Sequence, residues 1–95
     1  MSEMKSVTVR ILGEEHTIRA RAEPSWTRRC AKLVDERIQE LRSRAGRIET
    51  HRLAILAALS ITDELLQTRD SLAELEGDVA SRAEDILARI EAATD

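Results

Sequence analysis

The chain has 95 residues, one tryptophan, no phenylalanine or tyrosine, one cysteine and 35% charged side chains. That length holds one domain with at most an extension, and a single cysteine excludes an intrachain disulfide and fits a reducing compartment. A core drawn from Leu, Ile, Val and Ala is the palette of helix packing rather than of a large ligand pocket, which weighs against an enzyme. The net charge of −3 conceals two unlike halves: residues 1–52 carry 12 Lys and Arg against 8 Asp and Glu (+4), and residues 53–95 carry 3 against 10 (−7). A basic head and an acidic tail are expected to do different work. No charged-then-apolar leader precedes the first patterned stretch, so no signal peptide is read and the reading is cytosolic.

Residues 1–5 read as a disordered start. The stretch SVTVRILGEEHTIRARA then alternates. Val7, Val9 and Ile11 share one face of a strand, with Thr8 and Arg10 on the other. Past a connection read at Gly13-Glu14-Glu15, Ile18, Ala20 and Ala22 share a face, with Arg19 and Arg21 opposite. Period-2 patterning on both sides of a short glycine-containing connection predicts a β-hairpin. An isolated hairpin is marginal in water, so a helix must cover its apolar face.

The next residues supply that helix. Pro24 suits its first position, where the missing N–H costs nothing, and Glu23 is then the N-cap, a weak choice. Trp26, Cys30, Leu33, Val34, Ile38 and Leu41 recur at intervals of three and four as one apolar stripe. Arg28, Arg29, Lys32, Glu36 and Glu40 lie off it. Gly46 ends the pattern, as a glycine just past a helix often does. On this stripe Cys30 is expected to be a buried, inert thiol, and Trp26 to serve the core or a dimer interface rather than to anchor a foreign partner.

A second helix is expected from Thr50, whose hydroxyl can cap it, with only Gly77 to weaken it before the C-terminus. From position 53 to position 61 only Ser60 is polar. The run is too short to cross a membrane, which takes about 20 apolar residues, and too apolar all round for one face of a surface helix. Beyond Leu66 the apolar residues thin to a seam: Leu65, Leu72, Val79 and Ile86 are spaced by sevens, with Ile61 and Leu75 at a second seam position. Arg82 and Arg89 interrupt the second row, which shifts towards Ala83 and Ile90. A lone helix with so narrow a stripe is rarely stable, and the only other helix guaranteed present is its own copy. One side of residues 53–61 is therefore expected to pack on the first helix and hairpin. The other side is expected to begin an oligomer interface of Leu56, Leu59, Leu65, Leu72, Leu75, Val79, Ile86 and Ile90. The expected class is α+β, with a head at residues 1–49 and one long coiled-coil helix at residues 50–95.

Three segments, VTVRILGEEHTIRA, CAKLVDERIQELR and RIETHRLAILAALSITDELL, occur in this order over about residues 7–66. Together they resemble the ZapA family, small bacterial cell-division proteins that associate with the tubulin-like FtsZ. The last segment is the most specific, and the tail matches only as an acidic coiled coil. The resemblance implies a non-enzymatic bridging protein without a cofactor. It implies heads paired in a homodimer, and two dimers joined through an antiparallel coiled coil into a tetramer that bundles FtsZ filaments at the midcell division ring. It also implies partner contacts by basic head residues near the helix junction, which here are Arg42 and Arg47, with Arg44 and Arg52 extending the patch. Two features depart from the family pattern. Glu14 and Glu15 follow the hairpin glycine where a basic residue is common, and His51 stands where some relatives carry an acid.

The runner-up reading is a coiled-coil adaptor or regulator whose basic head binds another partner, with nucleic acid as one candidate. Nucleic acid is disfavoured because no aromatic stacking surface exists and the tail repels phosphate. A membrane surface would call for a basic polar face, which the acidic residues after position 61 deny. Cys30 with His16 or His51 lacks a third orienting group, and these three residues do not make a zinc site. The adjacent pairs Asp63-Glu64 and Glu84-Asp85 point in different directions on a helix and read as solvated flanks of the seam.

Overall fold

The computed structural model describes residues 3–93, so Met1 and Ser2 of the expected disordered start, and the last two residues of the expected helix, lie outside the described residues. The element order is β1 (Lys5–Ile11), β2 (Glu14–Ala20), α1 (Pro24–Ala45) and α2 (Thr50–Ala93). This is the expected α+β head of hairpin and helix followed by one long helix. Lys5, expected in the unstructured start, instead opens β1. The chain divides into two compact units, one ending at Ile61 and the other beginning at Thr62.

In the first unit β1 and β2 pair antiparallel, with Val7 opposite Ile18, Val9 opposite His16 and Ile11 opposite Glu14. Val7 and Val9 are buried against Ala31 of α1, whereas Ile18 stays 36% exposed. The covered face thus comes mainly from β1, because α1 lies over that strand. On the opposite face Thr8 and Thr17 bring their hydroxyls to 3.3 Å across the strands. Ala22, expected on the β2 face, falls past the strand end at Ala20.

The connection is tighter than the sequence implied. Glu14 and Glu15 belong to β2, and the turn consists of Leu12 and Gly13 alone, with φ values of 55° and 77°. Two positive φ values are what a two-residue hairpin turn of type I′ requires. For a leucine that conformation costs about 1–2 kcal/mol. The rest of the head holds it in place: the Leu12 N–H donates to Asp35 Oδ1 of α1 at 2.9 Å, and the Leu12 side chain packs on the cluster of Ile38, Leu53 and Ala57. Asp35→Ala is therefore expected to destabilise the head by about 1–2 kcal/mol in urea denaturation, with Asp35→Asn, which keeps an acceptor, losing less. An unchanged midpoint for Asp35→Ala would show that this bond does not hold the turn.

α1 starts as its sequence predicts, with Pro24 at its first turn and Glu23 at the N-cap without a side-chain cap bond. The Glu23 carbonyl accepts from the N–H groups of Trp26 and Thr27 at 2.9 and 3.1 Å. The helix ends on Gly46, at φ 73° and ψ −134°, a backbone conformation that side chains rarely adopt. The expected stripe is only half right. Ala31 and Ile38 are buried and Val34 and Leu41 half-buried, but Trp26 (55%), Leu33 (48%) and Cys30 are exposed. The expectation of a buried Cys30 thiol is corrected accordingly. The residue that meets β1 is the small Ala31, one position further along, because a close helix–strand approach has no room for a larger side chain.

α2 begins one residue before the expected cap allows: Thr50 is already helical, and the Glu49 carbonyl accepts from the Leu53 N–H at 3.0 Å. Its first turns complete the head. Leu53 (1% exposed) and Ala57 are buried against Ile38, with Leu12, Leu41 and Ile48 packed around them. Arg37 Nη1 donates to Ser60 Oγ at 2.9 Å, a tie between α1 and α2 that also satisfies the one polar residue of the apolar run. The opposite side of that run stays open, with Ile55 at 48% and Leu59 at 62% exposed.

Candidate functional site

Two surfaces remain after the core is accounted for. The first is the junction of α1 and α2. Arg42 and Arg44 occupy the last turn of α1, where a cation is favoured by the helix dipole. Arg47 sits in the connection and Arg52 in the first turn of α2. All four are exposed, and among the described residues none has an ion-pair partner. Arg42 and Arg47 come together on one shallow hollow with Gly46, Ile48 and Glu49, whereas Arg44 and Arg52 do not line it. Gly46, in its non-helical conformation, and Ile48, which also packs on the core cluster, form part of its wall. Glu49 places one negative charge within it, which the sequence pattern did not single out. His51 is exposed beside Arg52. Glu14 and Glu15 lie on the hairpin strand β2.

The second surface is the outer part of α2. In the unit that begins at Thr62 the helix continues without a break through Gly77. Leu65, Leu72, Leu75, Val79, Ile86 and Ile90 are between 47% and 59% exposed, and Leu66 and Leu87 likewise stay about half exposed. Leu56, grouped with them from sequence, is half-buried within the first unit, and Leu59 is exposed there. The polar residues between the seam positions bond along their own helix. Gln67 Nε2 donates to Asp63 at 2.9 Å, the Thr68 hydroxyl donates to the Glu64 carbonyl at 2.8 Å, and Arg82 pairs with Asp78 at 3.3 Å. Such pairs support the helix by a few tenths of a kcal/mol each. They leave the apolar row without a cover in the single chain, which is the arrangement of a coiled-coil strand awaiting another.

Among the described residues no group of three or more His, Cys, Asp or Glu could hold a metal ion, and no helix is long and apolar enough to cross a membrane. Exposed basic groups at one junction and a half-exposed apolar row along a long helix mark the class as α+β, a small head of hairpin and helix followed by one long helix.

Comparison with known proteins gives that class a family. The profile described as cell division protein ZapA matches residues 7–92. The chain is 31% identical to the cell division protein ZapA of Pseudomonas aeruginosa over 94 residues, 98% of this chain and 90% of that one. It is 32% identical to the ZapA of Shouchella clausii over 65 residues, 68% of this chain and 83% of that one. A solved structure described as an unknown conserved bacterial protein from Pseudomonas aeruginosa PAO1 superposes with a TM-score of 0.76 at 30% identity, covering 90% of this chain and 96% of that one. A ZapA mutant dimer from Geobacillus stearothermophilus superposes with a TM-score of 0.66 at 26% identity, covering 83% and 92%. The chain belongs to the ZapA family, and is a non-enzymatic cell division protein.

Proposed function

We propose that this chain is a homo-oligomeric cross-linker of FtsZ filaments, acting in the cytoplasm at the midcell division ring. Residues 1–49 serve as the recognition head and residues 50–95 as the assembly helix. Arg42, Arg44, Arg47 and Arg52 contact an acidic filament surface. Leu56, Leu59, Leu65, Leu72, Leu75, Val79, Ile86 and Ile90 join the chains into a homodimer or an antiparallel tetramer. The observation that carries the assembly part is the row of half-exposed apolar residues along α2, which water penalises at about 25 cal/mol per Å² of apolar surface left uncovered. Leu56 contributes least, being half-buried by its own chain. The partner follows from family membership, and the charge distribution is consistent with it: a +4 half and a −7 half attract an acidic filament at one end and keep clear of it along the other. Several weak heads on one particle bind together more tightly than any one alone.

Co-pelleting with FtsZ assembled in GTP, at low and raised salt and with turbidity read alongside, tests the reading. The expected result is pelleting and increased turbidity at low salt, both falling as salt screens the head. A protein that stays in the supernatant at low salt would separate its fold from the proposed partner.

A further inference from the structure

The outer part of α2 distributes its charge unevenly around the apolar row of Leu65, Leu72, Val79 and Ile86. Its three cations, Arg69, Arg82 and Arg89, border or interrupt that row, and Arg82 is paired with Asp78 of its own helix at 3.3 Å. The positions two and five residues after each member of the row face away from it. Asp63, Asp70, Glu74, Glu84 and Glu91 stand there, and no Lys or Arg does. A wholly acidic outward side does nothing for the isolated helix: Asp70 and Glu74 are four residues apart, where like charges are destabilising. The charge is also evenly spread along the chain. Residues 62–77 sum to −4 and residues 78–95 to −3, so there is no basic block to answer an acidic one.

We propose that ionic strength acts on the two surfaces of this chain with opposite sign: salt weakens the hold of the head on an acidic filament and strengthens the pairing of the tails. This control of the seam presupposes the self-association proposed above and adds the condition that sets its strength. The apolar row attracts a second tail, and it has no charge for salt to screen. The net charge opposes that attraction. Laid against a copy in either direction, a tail of −7 meets another of −7, at a distance between helix axes of about 8–10 Å and with the outward carboxylates roughly 20 Å from most of their counterparts. All of these side chains are exposed, so mobile ions reach them. Between about 0.05 and about 0.5 M salt the screening distance falls from roughly 14 Å to roughly 4 Å. Charges that repel across the pair at the lower figure scarcely do so at the higher. Summed over the two tails, the lost repulsion changes the pairing constant by about tenfold. The head is the reverse case, since salt screens an attraction there. Rising salt therefore frees the filament before it parts the tails.

Sedimentation equilibrium of the full chain over a concentration series, repeated in sodium chloride across that range, measures the effect. The Leu72→Glu, Val79→Glu variant supplies the association that does not pass through the seam. With that part removed, the pairing constant of the unaltered protein should rise about tenfold from the lowest to the highest salt. Glu74→Gln with Glu84→Gln separates charge from every other cause. Both positions are on the outward side, and glutamine matches glutamate in helix propensity, so the seam and the helix are kept. The tail goes from −7 to −5, and the repulsion, which follows the product of the two charges, falls to about half. This variant should pair about threefold more tightly than the unaltered protein at the lowest salt and gain only about threefold from there. A rise of full size in it would mean that salt acts by driving apolar surface together, and overturns the proposal. A pairing constant that is flat or falls with salt overturns it too, while leaving the seam in place. A chain that pairs no better than the seam variant at any salt overturns the self-association reading along with it.

Discussion

Replacing Leu72 and Val79 together with glutamate is expected to abolish filament bundling while leaving folded, paired heads. Both side chains are more than half exposed in the single chain, at 53% and 58%, and they sit seven residues apart on one row of α2. Glutamate is a good helix former, so the substitutions cost the isolated helix little. In a helix-to-helix seam the effect is large. Each carboxylate would have to be desolvated at several kcal/mol per ion, next to a half-chain that already carries −7. Light scattering of FtsZ assembled in GTP measures bundling, sedimentation measures particle mass, and circular dichroism confirms that helix content is kept. A double variant that bundles as the unaltered protein does would remove this seam from the assembly.

The second large effect is expected at the junction. Arg42→Glu combined with Arg47→Glu should abolish co-pelleting with FtsZ filaments without changing the mass of the particle. These are the two arginines that share one hollow, with Glu49 already in it. Each reversal changes the charge by −2, so the pair takes the basic half from +4 to 0 and would remove the long-range attraction to the acidic surface that the head is proposed to contact. The fold should tolerate the change, because both side chains are exposed and without an ion-pair partner among the described residues. The favourable position of Arg42 at the end of α1 is worth only about 0.3–1 kcal/mol. Pelleting at the level of the unaltered protein would take Arg42 and Arg47 out of the contact surface. Loss of mass instead of binding would make them assembly residues.

These two outcomes test the proposed division of recognition and assembly between the two ends of the chain. Seam variants should keep single heads competent to bind while losing the ability to join filaments, because bundling needs more than one head on a particle. Junction variants should keep the particle and lose the filament. A protein in which both sets of substitutions produced the same defect would not be built as a cross-linker with separate recognition and assembly surfaces.

The elements themselves were legible in the sequence, because each depends on interactions close along the chain. Alternation in SVTVRIL and HTIRA marks two strands, Pro24 and Gly46 bracket α1, and the absence of a breaker before Gly77 extends α2. The heptad positions of Leu65, Leu72, Val79 and Ile86 and the motif that relates the chain to its family were equally readable there. Tertiary packing decided the rest. Leu12 and Gly13 form the turn because Asp35, far along the chain, binds the Leu12 N–H, whereas local glycine and glutamate chemistry had pointed one or two residues later. Of the two apolar rows on α1, the one with Ala31 faces inward and the one with Trp26, Cys30 and Leu33 faces out. Periodicity could not rank them, since both satisfy the spacing of three and four. The choice belongs to the close approach of helix and strand, which only a small side chain permits. In the same way Ala57 and Leu53 are buried and Leu59 is not, because burial is a relation between elements, and a helix acquires an inside only when another element lies against it.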